Sequence, residues 1–352
     1  MNQNRNHNYE NTDGFETEAY IIRYGSEEIV RNSTSGGAFS AVACHLLCLE
    51  AIVYATGYDE SMSVICKRVT SAVDLAEMRG SKFVQSKLSD AFKKVKEDLD
   101  DNNIVLFVGT PCQVVGLKNF LQKSYENLFC MDFVCRGVPS PGLWKKYIDS
   151  MEKRFNSRIN KAAFKNKTYG YHASTMKIFF DSGVEYIGSG RIDPFLKAFV
   201  NELSSRPSCS KCRFKQVKHK SDLTVFDCYR FKEVTGEKDD DKGYTSLLVH
   251  SEKGKRLLSE IKDTLSYLRK VDIDVLIENN GIMVENSAKP SLKRSDFYRR
   301  VMTGSIDEAI NYVLPIKRLD YIIERLKGVL VRTGILKIVR KVKKDRIEIS
   351  RK

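Results

Sequence analysis

The sequence predicts an α/β fold of the mixed α+β kind, in which helices flank a central mixed sheet. A continuous apolar run at 104–108 and a mostly apolar run at 128–134 have the composition of strands that are buried on both faces. A Gly/Pro break and a helical pattern follow each run, as expected of strand–helix–strand units. Residues 51–58 and 63–69 alternate like a pair of adjacent strands.

The other elements follow from periodicity and turn residues. Asp181, Ser182 and Gly183 separate two short strand patterns and predict a hairpin. Further strands are predicted at 20–24, 176–180, 184–187, 223–226 and 245–250. Helices are predicted at 38–49, 72–78, 88–99, 111–121, 143–155, 192–203, 252–268 and 273–279.

Charge and composition divide the chain into three parts. Residues 1–18 are polar and Asn-rich and predict a disordered tail. Residues 19–314 form the predicted α/β domain. Residues 315–352 hold 13 Lys and Arg against 4 Asp and Glu, a net +9 of the chain's +14. Because the domain itself is only modestly basic and shows no recognition module, we do not expect nucleic-acid binding.

The basic segment 315–352 has apolar residues at helical spacing. A helix with one apolar and one cationic face is typical of peptides that lie on an anionic membrane surface. The alternative is a helix that packs on the domain or on a partner subunit. The chain has no apolar run of about 18 residues and no secretory h-region at its start. We therefore expect a cytoplasmic protein, with peripheral contact to the inner membrane surface through 315–352.

Nine cysteines are the strongest chemical signal, and structural disulfides are not expected of them in a reducing compartment. Cys112 and Cys135 each follow one of the two buried strands. Since the carboxyl ends of adjacent parallel strands meet at one edge, these two thiols are expected close together.

A C-x-x-C pair, Cys209 and Cys212, follows in a basic segment. Four thiolates suit tetrahedral zinc or a 4Fe–4S cluster, although the pair alone also fits a zinc knuckle or unligated thiols. Core packing is the preferred interpretation of Cys44, Cys48, Cys66 and Cys130, and Cys228 is ambiguous.

Two loops have the composition of phosphate-binding turns. Residues 31–39 place hydroxyls, Gly36 and Gly37 ahead of a helix, where backbone amides can hold phosphate. Residues 79–86 form a second polar, basic loop. A serine-capped glycine turn and a solvated loop are the simpler alternatives.

Six segments in order give the chain its resemblance to the coenzyme F(420) hydrogenase/dehydrogenase beta-subunit family, over roughly residues 20–300. They are Ser-Thr-Ser-Gly-Gly-Ala-Phe at 33–39, Arg-Gly-Ser-Lys-Phe-Val-Gln-Ser at 79–86, Gly-Thr-Pro-Cys-Gln at 109–113, Cys-Arg-Gly-Val-Pro-Ser-Pro at 135–141, Arg-Pro-Ser-Cys-Ser-Lys-Cys at 206–212 and Ser-Asp-Leu-Thr at 221–224.

The resemblance implies an oxidoreductase that passes electrons between FAD, a 4Fe–4S cluster and a redox partner protein or soluble electron carrier. By position, the cluster ligands would be Cys112, Cys135, Cys209 and Cys212. The residues that would meet FAD are Ser33, Ser35, Gly36, Gly37, Arg79, Gly80, Ser81, Lys82, Gln85, Thr110 and Asp227. No catalytic residue is assigned.

The sequence departs from the family pattern in three places. It has no ferredoxin-like N-terminal region rich in C-x-x-C. Arg136 replaces the His of Cys-His-Gly, and Arg230 replaces the Gly of Asp-Phe-Trp-Gly. The altered segment motivates an alternative, a non-catalytic or zinc-stabilised scaffold at a membrane-surface assembly. Nothing in the residues identifies deazaflavin as the partner.

Overall fold

The computed structural model describes residues 14–173 and 175–333. The chain divides into two compact units. The first takes its described residues from Met1–Pro141 and Ser205–Pro290, so it is built from two separate stretches of chain. The second takes its described residues from Gly142–Ser204 and Ser291–Lys352.

The described residues contain eleven strands and fourteen α-helices. The strands are β1 (Glu18–Tyr24), β2 (Ile52–Tyr58), β3 (Val64–Val69), β4 (Val105–Gly109), β5 (Leu128–Phe133), β6 (Ile159–Asn166), β7 (Thr175–Phe180), β8 (Glu185–Ser189), β9 (Leu223–Asp227), β10 (Thr245–Val249) and β11 (Leu265–Val271). The helices are α1 (Glu27–Asn32), α2 (Ala38–Cys48), α3 (Ala72–Met78), α4 (Ala91–Asp100), α5 (Pro111–Leu121), α6 (Pro141–Phe155), α7 (Pro194–Val200), α8 (Phe231–Thr235), α9 (Glu252–Ile261), α10 (Ile273–Asn280), α11 (Ile282–Glu285), α12 (Arg294–Thr303), α13 (Ile306–Val313) and α14 (Arg318–Arg332).

The first unit is organised around an eight-stranded mixed sheet, in the order β11-β1-β10-β9-β5-β4-β2-β3. Strands β2, β4, β5 and β9 are parallel, whereas β1, β3, β10 and β11 pair antiparallel with their neighbours. The predicted mixed sheet is thereby confirmed. The neighbouring, parallel arrangement of β4 and β5 was also predicted, and their register aligns Val105 with Leu128.

Strand β4 shows why both faces of this sheet are covered. Its side chains alternate, so that Leu106 joins the core beneath α2 and α9 while Phe107 joins the core beneath α4 and α5. Both side chains are about 1% exposed. Helix α5 starts immediately after β4, because Pro111 suits its first turn and Thr110 forms a reciprocal capping box with Gln113. This start fixes where Cys112 lies.

The second unit contains the three-stranded antiparallel sheet β6-β7-β8. The predicted hairpin at 181–183 joins β7 to β8, with Gly183 at a φ of 81°. The aromatic rings of Trp144, Tyr147 and Phe195 pack together with centroids 5.2–5.4 Å apart and form much of this unit's core. No helix in the described part of the chain has both the length and the apolar character that a membrane crossing requires.

Three predictions of local structure need correction. The helix predicted at 252–268 ends at Ile261, and the residues after it form the edge strand β11. Strand β6 and helices α1, α8, α11, α12 and α13 were not predicted. In the N-terminal segment predicted to be disordered, Thr17 is buried and β1 begins at Glu18, while residues 1–13 lie outside the described residues.

The predicted domain boundaries stay predictions. Helix α14 falls within the predicted tail 315–352, and residues 334–352 of that tail lie outside the described residues. The boundary near residue 315 does not coincide with any of the junctions between the two units, which fall after Pro141, Ser204 and Pro290.

Candidate functional site

The carboxyl ends of β4 and β5 place two of the predicted cysteines. Cys112 lies in the first turn of α5, where its sulfur is 3.0 Å from the Thr110 hydroxyl. Cys135 follows β5 by two residues and is partly buried. The loop after β5 therefore starts beside the first turn of α5, as the strand order predicts.

The segment that carries the C-x-x-C pair lies against the loop after β5. Pro139 and Ser205 form an isolated antiparallel bridge, and the Arg206 amide donates to the Val138 carbonyl at 3.0 Å. Gly137 makes this approach possible: its φ is 134°, and a Cβ at this position would lie 3.2 Å from the Cβ of Cys209. A short 3-10 helix, Pro207–Lys211, then presents the pair.

The four cysteines, which we call the four-cysteine site, are electrostatically coupled. The Cys112 thiol interacts with those of Cys209 and Cys212, and the Cys135 thiol with those of Cys112 and Cys209. Burial raises the pKa of the Cys135 thiol to about 12, so this thiol is neutral without a ligand. Among the described residues, no three His, Cys, Asp or Glu side chains already stand at metal-binding separations. Binding a metal or cluster would thus require the sulfurs to close in.

Lys215 adds a positive charge to the four-cysteine site. Its ammonium donates hydrogen bonds to the backbone carbonyls of Cys135 and Met283. Burial lowers the pKa of Lys215, and the thiols of Cys135, Cys212 and Cys209 oppose that shift. The sequence drew attention to the basic surroundings of the C-x-x-C pair, but only the fold selects Lys215 among them.

The glycine loop, residues 33–37, is pressed against the sheet. The Gly36 amide donates to the Thr245 hydroxyl at 2.8 Å, and the Ser35 hydroxyl lies 2.9 Å from the same oxygen. A Cβ on Gly36 would come within 2.7 Å of the Ile22 carbonyl oxygen, so only glycine fits here. Thr245 pairs with Asp227 at the carboxyl end of β9, which brings Asp227 beside the loop.

Helix α2 begins at the end of the glycine loop without a side-chain cap. Gly37, at a φ of 86°, is its N-cap residue and offers no acceptor to the first-turn amides. The guanidinium of Arg79 lies at the same turn, where its Nε donates to the Ser40 hydroxyl at 3.1 Å. Open amides, a helix dipole and an arginine together favour an anion such as phosphate.

The Arg79 loop, residues 79–86, is fixed by contacts that use some of the predicted ligands. The Lys82 ammonium donates to the carbonyls of Glu77, Met78, Arg79 and Gly80, at 2.9–3.3 Å. The charge of Lys82 therefore stabilises the loop itself, whether or not Lys82 also contacts a ligand. A similar constraint holds Ser33, whose hydroxyl donates to the Ile29 carbonyl and ends α1.

The two loops contact each other, and the Arg79 loop also reaches the four-cysteine site. The Ser81 amide donates to the Thr34 hydroxyl at 2.8 Å. Farther along the loop, the Gln85 amide donates to the Pro139 carbonyl at 3.0 Å, and the Gln85 side chain accepts from Arg206. These contacts join the predicted flavin-binding loops to the cysteine-bearing segments.

A second bond connects the Arg79 loop to the helix that carries Cys112. The Gln113 amide nitrogen Nε2 donates to the Ser86 hydroxyl at 2.8 Å, while its oxygen accepts from the Thr110 amide. Thr110 is thus part of the capping box that positions Cys112. Arg206, Gln113 and Thr245 were not predicted, because single polar residues carry no sequence signal until the fold gives them neighbours.

A buried histidine network lies along one face of the same sheet. The Asp132 carboxylate accepts from Nδ1 of His219 at 2.8 Å, and Thr224 lies between His219 and His250. His219 is 6% exposed, and its Nε2 has no hydrogen-bond partner within residues 14–173 and 175–333. The Nδ1 side of His219 is therefore fixed by the network, whereas its Nε2 side is buried.

The remaining cysteines and the altered family segment have mixed outcomes. Cys130 and Cys228 are buried, and Cys44 and Cys66 are partly buried. The core position predicted for Cys48 is wrong, because its side chain is exposed at the end of α2. Arg230 is also exposed, and its amide donates to Asn280 at 2.8 Å.

Comparison with known proteins supports an oxidoreductase-associated class. Residues 102–272 match the family model that describes the C-terminal part of the coenzyme F(420) hydrogenase/dehydrogenase beta subunit. A structural match is a chain from the xenon-derivatised F(420)-reducing NiFe hydrogenase complex of Methanosarcina barkeri, with a TM-score of 0.51 and 14% identity. The match covers 82% of this chain and 93% of that chain, and at this identity it concerns the fold alone. No curated protein matches the chain.

These matches support the family that the six sequence segments suggested. Residues 102–272 of the chain resemble the C-terminal part of the coenzyme F(420) hydrogenase/dehydrogenase beta subunit. That region contains all four cysteines of the four-cysteine site. Electron transfer is therefore the general role that the family supports.

Proposed function

We propose that this protein is a flavin- and iron–sulfur-dependent electron-transfer subunit. It would pass electrons between FAD, one 4Fe–4S cluster and a redox partner protein or soluble carrier. The observation that carries the proposal is that the segments bearing the four cysteines are bonded to one another, directly or through the Arg79 loop, with the Lys215 ammonium on the Cys135 carbonyl. When bound, a flavin handles electron pairs or hydride and an iron–sulfur cluster carries single electrons.

The donor set of the four-cysteine site fits a cluster. Cys112, Cys135, Cys209 and Cys212 would supply four thiolate ligands, which satisfy a 4Fe–4S cluster. Gly137 leaves room for Cys209, and Lys215 offers positive charge to a thiolate-ligated anionic group. The loops that bear the cysteines are bonded to one another, so that a modest movement could bring the sulfurs together.

The glycine loop and the Arg79 loop fit the phosphate end of FAD. The uncapped first turn of α2, the Arg79 guanidinium and the serine hydroxyls would bind the pyrophosphate. Gly36, Gly37, Gly80, Ser81 and Lys82 shape this surface, and Thr110 and Asp227 mark the sheet edge beside it. Gln85 would hold the Arg79 loop, which meets the flavin, in a fixed position relative to the loop that carries Cys135.

The first experiment is anaerobic purification of the full chain, followed by its visible spectrum and by measurement of iron, sulfide, zinc and flavin. The proposal expects about four irons per chain with bound flavin. Zinc without flavin would instead favour the alternative of a zinc-stabilised scaffold. A chain that takes up neither cofactor after anaerobic reconstitution contradicts the proposed electron transfer.

We further propose that α14 provides peripheral contact with an anionic membrane surface. Its residues Leu319, Ile322, Leu326 and Val329 share one face and are 53–60% exposed. The opposite face is held to β8, because Glu324 accepts hydrogen bonds from the amide and hydroxyl of Ser189. An exposed apolar stripe between basic residues suits a lipid surface, and a partner subunit is the alternative.

A sedimentation experiment with vesicles tests the membrane contact. Wild-type protein is expected to sediment with phosphatidylserine vesicles and much less with phosphatidylcholine vesicles. The double variant Ile322→Asp, Leu326→Asp should lose most of this binding, since it places charge in the apolar stripe. Val73→Asp, at an 82% exposed position on α3, is the matched control and should bind normally. Equal binding by the double variant contradicts the proposal.

A further inference from the structure

Lys215 is the most unusual charged group around the four-cysteine site. Its side chain is half-buried, and its ammonium is held by the carbonyl oxygens of Cys135 and Met283. These two bonds fix the amine beside the backbone of a predicted ligand. Lysine is usually found with its charge in water, so a half-buried ammonium that is fixed in place calls for an explanation.

No carboxylate forms an ion pair with Lys215 anywhere in residues 14–173 and 175–333. The groups that act most strongly on its charge are the thiols of Cys135, Cys212 and Cys209, and the guanidinium of Arg136 opposes them. A partly desolvated cation without a counter-charge is costly unless an anion binds beside it. The only anionic species that these neighbours can form are thiolates.

We infer that Lys215 is the built-in counter-cation of the cluster held by the four-cysteine site and that it raises the cluster's reduction potential. This inference rests on the proposed function. Four thiolates give a 4Fe–4S centre a net negative charge, and reduction adds one more. A fixed positive charge nearby stabilises the reduced form more than the oxidised form, because the Coulomb energy grows with the charge of the centre.

Lys215 would act without touching any reacting atom, so it is a positioning residue. Its position also explains why Lys211 of the same segment would contribute less. Lys211 lies between Cys209 and Cys212 in sequence, yet its side chain is exposed. Solvent and salt screen an exposed charge far more than a half-buried one. Lys215 and Lys211 thus differ in their expected electrostatic effect on the cluster, although both lie near the C-x-x-C pair in the sequence.

The test is a potentiometric titration of the reconstituted full chain, followed by the electron paramagnetic resonance signal of the reduced cluster. Lys215→Gln should lower the reduced-to-oxidised ratio at the wild type's midpoint potential about tenfold, a shift of about 59 mV to more negative potential. Lys215→Arg keeps the charge and should restore a value close to wild type. Lys211→Gln is the matched control and should change the midpoint little.

Iron content separates failure of this inference from failure of the proposed function. Full iron in Lys215→Gln with an unchanged midpoint would overturn the counter-cation role alone. If Lys215→Gln binds no iron, recovery of iron in Lys215→Arg supports the role of charge, and loss in both variants contradicts it. A wild-type chain that takes up no iron overturns the inference and the proposed function together.

Discussion

Replacing either Cys112 or Cys212 with serine should remove most of the bound iron and the visible absorbance that accompanies it. The two residues come from α5 and from the C-x-x-C segment, and their thiols are electrostatically coupled. A serine hydroxyl is a far weaker ligand for iron than a thiolate, since it stays protonated at neutral pH. Iron and sulfide per chain, measured after anaerobic reconstitution, check this expectation.

The control for this experiment is Cys48→Ser. Cys48 is an exposed thiol at the end of α2 and is not part of the four-cysteine site. This variant should retain wild-type iron, which excludes a general effect of losing one cysteine. Full iron in both Cys112→Ser and Cys212→Ser would rule out the ligand assignment. Retention in only one of them would mean that three thiols suffice.

Gly36→Ala should destabilise the first unit by about 2–3 kcal/mol and abolish flavin binding. The added methyl group would lie 2.7 Å from the Ile22 carbonyl oxygen and 2.8 Å from the Thr245 amide nitrogen. Both atoms belong to the backbone of the sheet, so neither can move aside cheaply. Urea unfolding followed by far-UV circular dichroism measures the stability, and bound flavin is measured on the same sample.

Gly80→Ala separates steric clash from backbone strain. Gly80 has a φ of 82°, but a Cβ there would meet no atom of the described residues within 4 Å. The substitution should therefore cost only about 1–2 kcal/mol of backbone strain. If Gly36→Ala proves no more destabilising than Gly80→Ala, the close approach of the glycine loop to the sheet has no energetic consequence.

The central strands could be predicted because their signal is local. Strands β4 and β5 have buried side chains on both faces, so their sequences are mostly apolar, with Asp132 of β5 as the exception, and Gly or Pro follows each strand. The positions of Cys112 and Cys135 could be predicted as well, because both residues come shortly after the ends of these strands. Strand β11 shows the opposite case: only Leu265, Tyr267 and Val271 are partly buried, and pairing with β1 forms the strand. Nothing within 265–271 reveals that pairing, so the sequence favours a longer helix.

The sequence predicted which residues lie in the candidate site, but it could not predict which atoms each side chain bonds to. Lys82 looked like a phosphate ligand, yet its ammonium is occupied by four backbone carbonyls. Lys215 looked like one of several basic neighbours, yet its bonds to two carbonyls distinguish it. Such differences depend on which atoms the tertiary fold brings within bonding distance, and residue spacing carries no information about that.

The discontinuity of the first unit has a consequence for biosynthesis. Cys112 and Cys135 precede the 142–204 stretch of the second unit, while Cys209 and Cys212 follow it. At about 5–20 residues per second, a ribosome needs roughly 4–15 s to synthesise the chain between Cys135 and Cys209. Strand β9, which completes the parallel part of the sheet beside β5, is synthesised later still. The nascent chain thus presents two of its four thiols well before their partners exist, and any cofactor insertion must wait for the second stretch to emerge.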